Sequence, residues 1–242
     1  RINEIKKYIN SLYVILPFEK EFFESKHNYP VKFLGHPLAD SIYNFKTNYN
    51  SSNKFITADK KPIIAILPGS RKQEIKKILN TVIETVKYFK EYQFIVAGAP
   101  NIDLSYYTSI IKNKKIKVIE NKTYELLSVS YAAIVTSGTA TLETALFKVP
   151  QVVCYKSSYF SFIIAKLIVN IKYISLVNLI MDQEIVKELI QQDCNKNKIT
   201  KELKKILDLN HRKSLKVKYD ELTSILGNFG TSKRVALDII TK

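Results

Sequence analysis

Residues 63–71 read IIAILPGSR and residues 132–143 read AAIVTSGTATLE, and these two stretches decide the fold. Each begins with an unbroken apolar run, then passes through glycine and hydroxyl residues into a segment with helical periodicity. An apolar run without polar alternation is typical of a strand buried on both faces, as in a parallel sheet. The two stretches therefore predict strand–turn–helix units of an α/β fold.

The same alternation continues on both sides of these stretches. Apolar residues recur three or four positions apart from Gln73 to Phe89, which predicts an amphipathic helix. Strands that alternate with helices indicate a doubly wound, parallel, Rossmann-like sheet. From Asp182 onward the pattern is that of a helical C-terminal tail, broken around residues 227–230. Further strands are predicted at 94–97, 116–119 and 151–155, and further helices at 104–111, 124–130 and 139–147.

The sequence predicts four regions. Residues 1–43 contain short strand and helix patterns, and residues 44–61 are rich in Asn, Ser, Lys and Thr, as in a linker. The Rossmann-like domain is expected to cover residues 62–210. A helical tail is expected at residues 211–242.

The net charge of +16 comes almost entirely from lysine. Only four of the 38 basic residues are arginine, and the chain is also rich in Ile, Asn and Tyr, as expected from AT-rich codons. Lysine recognises bases and binds phosphates less specifically than arginine, because it lacks the planar guanidinium that forms two parallel hydrogen bonds. We therefore expect no nucleic-acid partner.

The sequence shows no ligand spacing typical of a metal site and no disulfide framework. Cys154 and Cys194 lie far apart in the chain, the three histidines are scattered, and no Asp-x-Asp pair is present. We therefore expect no metal and no cofactor. The chain begins at Arg1 without a secretory signal pattern, so we expect a fragment or processed form in a reducing, cytoplasmic setting.

The stretch from Tyr159 to Met181 is apolar and aromatic but is interrupted by Lys166 and Lys172. A transmembrane helix needs about 20 predominantly apolar residues, so this stretch does not fit one. Two interpretations remain open. The stretch either dips into a bilayer interface or covers the sheet of its own domain.

The turn of Gly69, Ser70 and Arg71 follows a predicted buried strand and starts a helix. The first N–H groups of a helix lack acceptors within the helix and lie at the positive end of its dipole, so they favour an anion. Gly69 permits close approach of the backbone, and the Arg71 guanidinium matches phosphate oxygens. Ser70 either caps the helix or donates to a phosphate. Alone, this turn would fit a structural cap equally well.

The turn of Ser137, Gly138 and Thr139 has the same construction. Glu143 lies one helical turn after Thr139, where it either accepts hydrogen bonds from ribose hydroxyls or serves as a carboxylate stabilised by the helix dipole. The carboxyl ends of parallel strands meet at one edge of the sheet, where ligands bind in open α/β folds. Together the two turns predict an anion site at this edge of the sheet.

With these turns in view, the chain resembles the lipid-A-disaccharide synthases, which are inverting glycosyltransferases of the GT-B fold. The resemblance covers nearly the whole chain. It implies that residues 1–43 are the last part of an N-terminal acceptor domain, whose remainder, with the general base, lies before Arg1. The stretches that carry the resemblance are ILPFEK (15–20), FLGHPLAD (33–40), LPGSR (67–71), TSGTATLE (136–143), YISLVNLI (173–180) and EIVKEL (184–189).

The resemblance implies a reaction that joins UDP-2,3-diacylglucosamine to 2,3-diacylglucosamine 1-phosphate through a β-1,6 linkage and releases UDP. It implies transfer without a metal ion. It also implies a cytoplasmic protein that associates peripherally with the inner membrane of a Gram-negative bacterium and forms a homodimer through C-terminal segments.

The resemblance also assigns roles to individual residues. Arg71 is expected to stabilise the leaving diphosphate, and Lys156 is a weaker candidate for the same region. His36 and Asp40 are expected either at a hinge between the two halves or as caps of the following turn. The remaining expected contacts are Gly69, Ser70, Ser137, Gly138 and Thr139 at the diphosphate, Glu143 at the ribose and Asn178 near the uridine phosphate.

Two other functions remain open from the sequence. One is a non-catalytic remnant that binds a UDP-sugar or an anionic lipid. The other is a different UDP-N-acetylglucosamine enzyme of the same fold, against which the FLGHPLAD and YISLVNLI stretches argue.

Overall fold

The computed structural model describes residues 2–48, 61–112, 116–156 and 172–241, which form two compact units. The larger unit contains the described residues from 61 to 218, and the smaller unit combines residues 2–48 with residues 219–241. The strands are β1 (Tyr13–Val14), β2 (Lys32–Phe33), β3 (Ile63–Leu67), β4 (Gln93–Gly98), β5 (Ile116–Glu120), β6 (Ser130–Thr136), β7 (Gln151–Tyr155) and β8 (Lys187–Ile190).

The helices follow the same chain order, and a short 3₁₀ helix at Gln191–Asp193 follows β8. They are α1 (Ile2–Tyr8), α2 (Pro17–His27), α3 (Pro37–Asn48), α4 (Lys72–Val86), α5 (Leu104–Ile110), α6 (Thr123–Val129), α7 (Thr139–Leu146), α8 (Leu176–Met181), α9 (Lys196–Leu207), α10 (Leu209–Leu226) and α11 (Thr231–Ile240).

The larger unit is built on a six-stranded parallel sheet with the order β5-β4-β3-β6-β7-β8. The chain moves outward from β3 to β5 and then returns to the other side of β3 as β6. This reversal creates a topological switch point between β3 and β6, and ligands of such sheets bind there at the carboxyl edge. Leu67 pairs with Val135, so the turns after β3 and β6 are direct neighbours. The predicted doubly wound fold is confirmed.

Apolar side chains bury the central strands from both faces. All five residues of β3 are buried, and Ile134 of β6 is inaccessible to solvent. Helix α4 packs a stripe of aliphatic residues onto this sheet, in which Ile75, Ile78 and Val82 are inaccessible. Full burial of each such side chain contributes up to about 1.5–3 kcal/mol. The core therefore fixes the ends of β3 and β6, where the predicted site lies.

The smaller unit pairs the beginning of the chain with its end. Strands β1 and β2 are parallel, and Lys32 on β2 forms an ion pair of 2.7 Å with Asp238 on α11. The rings of Tyr43 and Phe229 stack with their centroids 4.1 Å apart. The C-terminal helix is therefore part of the same unit as the first 48 residues.

Strand β8 corrects the prediction of an all-helical chain from Asp182 onward. Lys187 pairs with Val152, and the register continues in parallel to Ile190 opposite Tyr155. A strand of four residues is too short to show a period in the sequence. Its two charged residues are tolerated because Lys187 is exposed and the half-buried Glu188 carboxylate accepts hydrogen bonds from the Ile174 and Ser175 N–H groups.

Helix α3 ends at Asn48, so the first five residues of the predicted linker, 44–48, are helical. The rest of that linker, up to residue 60, lies outside the described residues. The predicted tail is divided, since residues 211–218 belong to the larger unit and residues 219–241 to the smaller one. Of the apolar stretch at 159–181, the part up to residue 171 also lies outside the described residues.

Candidate functional site

A cavity of about 350 Å³ opens at the carboxyl ends of β3, β4 and β6, within the larger unit. Ligand pockets commonly have volumes of about 300–1,000 Å³, so the cavity can hold part of a nucleotide-sized molecule. It lies at the topological switch point, as expected for this class of sheet. Three turns line it, at residues 67–70, 97–100 and 136–140, together with Glu74, Thr123 and Glu143.

The turn of residues 68–71, called the Arg71 loop below, passes close to its neighbours. Gly69 has a φ of +99°, and a Cβ atom there would lie 3.2 Å from Glu74 Oε2. Helix α4 starts after Arg71, and within the described structure no side chain caps this N-terminus. Ser70, the predicted alternative cap, lines the cavity instead.

Arg71 forms an ion pair with Glu74, with 3.1 Å between Nη1 and Oε1. The arginine side chain is 81% exposed, whereas that of Glu74 is 22% exposed and lines the cavity. An exposed pair of this kind contributes at most about 1 kcal/mol. Arg71 can therefore leave Glu74 for a phosphate at little cost.

The turn of residues 136–139, called the Ser137 loop below, is tied to its surroundings. The Ser137 N–H donates to the Cys154 carbonyl at 3.1 Å, and its hydroxyl donates to the Ile174 carbonyl at 2.7 Å. Both donors of Ser137 are therefore used within the protein. Ser137 shapes the cavity wall, and the donors that remain for a ligand lie further along, at the start of α7.

Gly138 has a φ of +152° and a ψ of −163°, a conformation essentially restricted to glycine. A Cβ atom at this position would meet nothing within 4 Å, so this side of the residue faces open space. Gly138 is the N-cap residue of α7 and has no side chain with which to cap the helix. The Thr141 N–H donates to the Gly138 carbonyl at 3.1 Å, so the N–H groups of Thr139 and Ala140 are the ones at the start of α7 that are suited to an anion.

Glu143 is half-buried and receives a hydrogen bond of 3.0 Å from the Tyr124 hydroxyl. Burial raises the pKa of Glu143 above its ordinary value, and the hydrogen bond from Tyr124 offsets part of that rise. Burial and the neighbouring Glu143 charge also raise the pKa of Tyr124, which therefore stays a donor at neutral pH. The Glu143 carboxylate lines the cavity as an oriented acceptor.

Asn178 is fully buried and is not among the residues that line the cavity. Its Nδ2 donates to the Val186 carbonyl and to Glu188 Oε1, each at 2.8 Å. Its Oδ1 accepts from the N–H groups of Ile185 and Val186 at 2.8 and 2.9 Å. The amide is saturated by these contacts, and Asn178, like Arg71, is not among the residues that line the cavity.

The three weaker candidates make contacts elsewhere. Lys156 Nζ donates to Thr81 Oγ1 on α4 at 2.8 Å. His36 Nδ1 accepts the Leu38 N–H at 3.1 Å, and burial lowers the pKa of this histidine. Asp40 accepts from the N–H groups of Gly230 and Ser232, each at 2.7 Å, at the start of α11. His36 caps the turn that follows it, which was one of the two roles expected, whereas Asp40 caps the start of α11, far away in sequence.

Three residues near the site were not found from the sequence. Glu74 follows Arg71 by one helical turn, a spacing that could have revealed the ion pair. Tyr124 lies in the first turn of α6, and its contact with Glu143 on α7 joins two separate helices. Glu188 stands in the EIVKEL stretch, where a carboxylate in a short, partly apolar run is the only signal.

The family model for lipid-A-disaccharide synthetase matches residues 1–237. The chain belongs to this family. The lipid-A-disaccharide synthase of Coxiella burnetii strain Dugway 5J108-111 is 34% identical over 241 residues. This alignment covers 98% of the chain but 64% of the relative, so the chain spans less than two thirds of a curated lipid-A-disaccharide synthase.

Two solved structures share the fold of this lipid-A-disaccharide synthetase family member. The UDP-GlcNAc 2-epimerase from Neisseria meningitidis bound to UDP-GlcNAc has a TM-score of 0.64 and 13% identity, covering 95% of this chain and 61% of that one. The calicheamicin glycosyltransferase CalG4 has a TM-score of 0.60 and 12% identity, covering 99% of this chain and 55% of that one.

A helix that crosses a bilayer needs about 20 predominantly apolar residues. Within residues 2–48, 61–112, 116–156 and 172–241, no helix combines the length and apolar character needed to cross a bilayer.

Proposed function

We propose that the chain is the donor-binding portion of a glycosyltransferase that forms the β-1,6-linked lipid A disaccharide 1-phosphate. In this reaction UDP-2,3-diacylglucosamine transfers its sugar to 2,3-diacylglucosamine 1-phosphate, and UDP leaves. The observation that supports the proposal most strongly is the meeting of two glycine turns, each starting a helix, at one cavity in a chain of this family.

The two helix starts are proposed to bind the diphosphate. The N-termini of α4 and α7 supply backbone N–H groups and the positive ends of two dipoles, which suit a diphosphate. At Gly138 a Cβ atom would meet nothing within 4 Å, so the backbone is open to the phosphate oxygens there, and Gly69, Ser70 and Thr139 line the same cavity. Ser137 contributes to the shape of the wall.

Arg71 is proposed to stabilise the leaving group. During transfer the bond between the anomeric carbon and the diphosphate oxygen breaks, and UDP keeps the electron pair. The diphosphate gains negative charge in the transition state, so a guanidinium that binds it more strongly there lowers the barrier. The acceptor hydroxyl gives its proton to a general base, which we place outside the residues of this chain.

Glu143 is proposed to bind the ribose. Its carboxylate can accept hydrogen bonds from the ribose hydroxyls, and the contact with Tyr124 fixes its orientation in advance. Asn178 is proposed to support the turn at residues 185–186 from inside the protein, rather than to contact the uridine phosphate.

The proposed substrates also define the partners. Both carry acyl chains, so we propose that the protein works at the cytoplasmic surface of the inner membrane of a Gram-negative bacterium. The same proposal includes a homodimer and excludes a nucleic-acid partner, a metal ion and a cofactor.

The nucleotide site is tested by isothermal titration of the 242-residue chain with UDP, UMP and CDP. We expect UDP to bind and UMP to bind at least about tenfold more weakly, because charge-assisted hydrogen bonds to the second phosphate are lost. The difference in affinity between CDP and UDP measures how strongly the site distinguishes the base. Absence of UDP binding, or equal binding of UDP and UMP, would contradict the assignment of the cavity.

The transfer reaction is tested on a version that includes the remaining length of the relatives. Acylated and unacylated UDP-glucosamine donors are compared in an assay of UDP release. Turnover of the acylated donor supports the proposal. Preference for UDP-N-acetylglucosamine would favour another enzyme of this fold, a possibility raised by the likeness to the N. meningitidis epimerase. UDP binding without turnover of any donor would favour a binding remnant.

A further inference from the structure

Glu188, on the edge strand β8, collects hydrogen bonds from four donors. Its Oε2 accepts the Ile174 N–H at 2.9 Å, and its Oε1 accepts the Ser175 N–H at 2.9 Å. The Ser175 hydroxyl and Asn178 Nδ2 also donate to Oε1, each at 2.8 Å. Hydrogen bonds to a carboxylate are stronger than those between neutral groups. Glu188 therefore holds the segment just before α8 firmly.

One peptide group connects this carboxylate with the Ser137 loop. The Ile174 carbonyl and the Ser175 N–H belong to the same peptide, and the described chain contains no cis peptide bond. In a trans peptide these two groups point in opposite directions. With the N–H directed at Glu188, the carbonyl is directed at the Ser137 hydroxyl, 2.7 Å away.

The Ser137 hydroxyl is thereby held on one side, while the Ser137 N–H is held on the other by the Cys154 carbonyl at 3.1 Å. Gly138 and the first residues of α7 follow directly. Because backbone N–H groups bind an anion well only when they are oriented in advance, the placement of Ser137 affects the affinity of the cavity. Glu188 itself does not line the cavity.

We propose that Glu188 is a positioning residue of the nucleotide site, which acts through the peptide group between Ile174 and Ser175 to orient the Ser137 loop. This inference rests on the proposed binding of a nucleoside diphosphate in the cavity. It assigns a role to a residue outside that cavity and predicts a specific coupling between Glu188 and Ser137.

The coupling is measured in a double-mutant cycle with Glu188→Gln, Ser137→Ala and the double variant, using titration with UDP. We expect each single variant to bind UDP about tenfold more weakly, an effect typical of neighbours in one hydrogen-bond network. When Ser137→Ala is already present, Glu188→Gln should cause no further loss of UDP affinity. A purely structural role of Glu188 would instead give the same loss in both backgrounds.

Glu184→Gln is the matched control, because Glu184 belongs to the same segment and forms an ion pair of 2.8 Å with Lys187. Its UDP affinity should match that of the unmodified chain. Ser175→Ala is a second variant that leaves the carboxylate in place; it removes one donor to Glu188 and also the hydroxyl that caps α8 by accepting the Asn178 N–H at 3.3 Å. It should weaken UDP binding about threefold, and this loss should also vanish in the Ser137→Ala background.

The outcomes separate the inference from the proposed function. If the unmodified chain binds UDP but Glu188→Gln changes affinity less than twofold, or changes it equally in both backgrounds, the positioning role is overturned and the nucleotide site stands. If Glu188→Gln fails to fold, Ser175→Ala decides by the same criterion. If the unmodified chain does not bind UDP, the proposed function fails and the inference fails with it.

Discussion

The Arg71 loop and the Ser137 loop share one sequence construction but are held in different ways. Hydrogen bonds from both donors of Ser137 tie the Ser137 loop to β7 and to the segment before α8. The charged group of the Arg71 loop makes an exposed ion pair with a residue on its own helix. The comparison indicates that the Ser137 loop is organised before a ligand binds, whereas the Arg71 side chain adjusts to it.

This difference decides what a substitution does in each loop. A change in the Ser137 loop disturbs backbone geometry that several neighbours determine. A change at Arg71 removes charge without disturbing the fold, because the side chain is 81% exposed. The following experiments test this comparison, beginning with the largest expected effect.

Gly138→Val should weaken UDP binding about a hundredfold, because a β-branched residue at φ +152° is strained by several kcal/mol and its side chain enters the cavity. Titration and thermal unfolding measure the two effects. Gly230→Val is the matched control, since Gly230 has a φ of +98° but lies in the smaller unit. It should lower the melting temperature and leave UDP affinity unchanged. A Gly138→Val protein with near-normal affinity would show that the Ser137 loop is not the phosphate site.

Arg71→Ala should weaken UDP binding about tenfold, the order expected for a lost charge-assisted hydrogen bond. The melting temperature should stay the same, because Arg71 is exposed. The UDP affinity of Arg71→Lys should lie between those of the unmodified chain and Arg71→Ala, since lysine keeps the charge but lacks the planar guanidinium. Lys76→Ala, which removes one exposed charge further along α4, is the control and should bind UDP normally. If Arg71→Ala and Lys76→Ala lost the same UDP affinity, Arg71 would contribute only through the overall positive charge and not through a specific contact.

Glu143→Gln should weaken UDP binding several-fold and raise the melting temperature. Burial raises the pKa of Glu143 in the folded state, so the ionised carboxylate destabilises the fold. This penalty is absent below the unfolded pKa, where the carboxyl is protonated in both states. It grows as pH rises and is complete above the raised folded pKa. The gain in melting temperature should therefore increase from acidic to neutral pH.

Glu84→Gln, at an exposed position of α4, controls for the change of charge at Glu143. Its melting temperature should differ little from that of the unmodified chain at every pH. A Glu143→Gln protein that is less stable than the unmodified chain at neutral pH would show that the contact with Tyr124 outweighs the cost of burial.

Glu74→Gln should have the smallest effect, a two- to threefold gain in UDP affinity. The exposed ion pair with Arg71 is worth at most about 1 kcal/mol, so its loss frees the guanidinium only slightly. The gain should disappear when Arg71→Ala is present. A loss of affinity in Glu74→Gln would instead assign Glu74 a role in directing Arg71 at the ligand.

Local patterns determined the central part of this protein from sequence alone. Unbroken apolar runs before glycine turns predicted β3 and β6, and the spacing of aliphatic residues predicted α4. Burial is decided residue by residue along such elements, so periodicity reveals them. The Arg71 and Ser137 loops could be predicted together because parallel strands place their carboxyl ends at one edge.

Contacts between distant parts of the chain were decided only by the tertiary structure. Three examples are edge strand β8, the packing of α11 with the first residues, and the hydrogen bonds that link Glu188 to Ser137. Each joins residues that are distant in sequence, and such contacts leave no periodic pattern along the chain. Asn178 is buried, and its amide is hydrogen-bonded to residues 185–188, a set of contacts that its sequence position does not reveal. A polar residue looks the same in sequence whether it faces a ligand or a buried backbone, and only packing distinguishes the two.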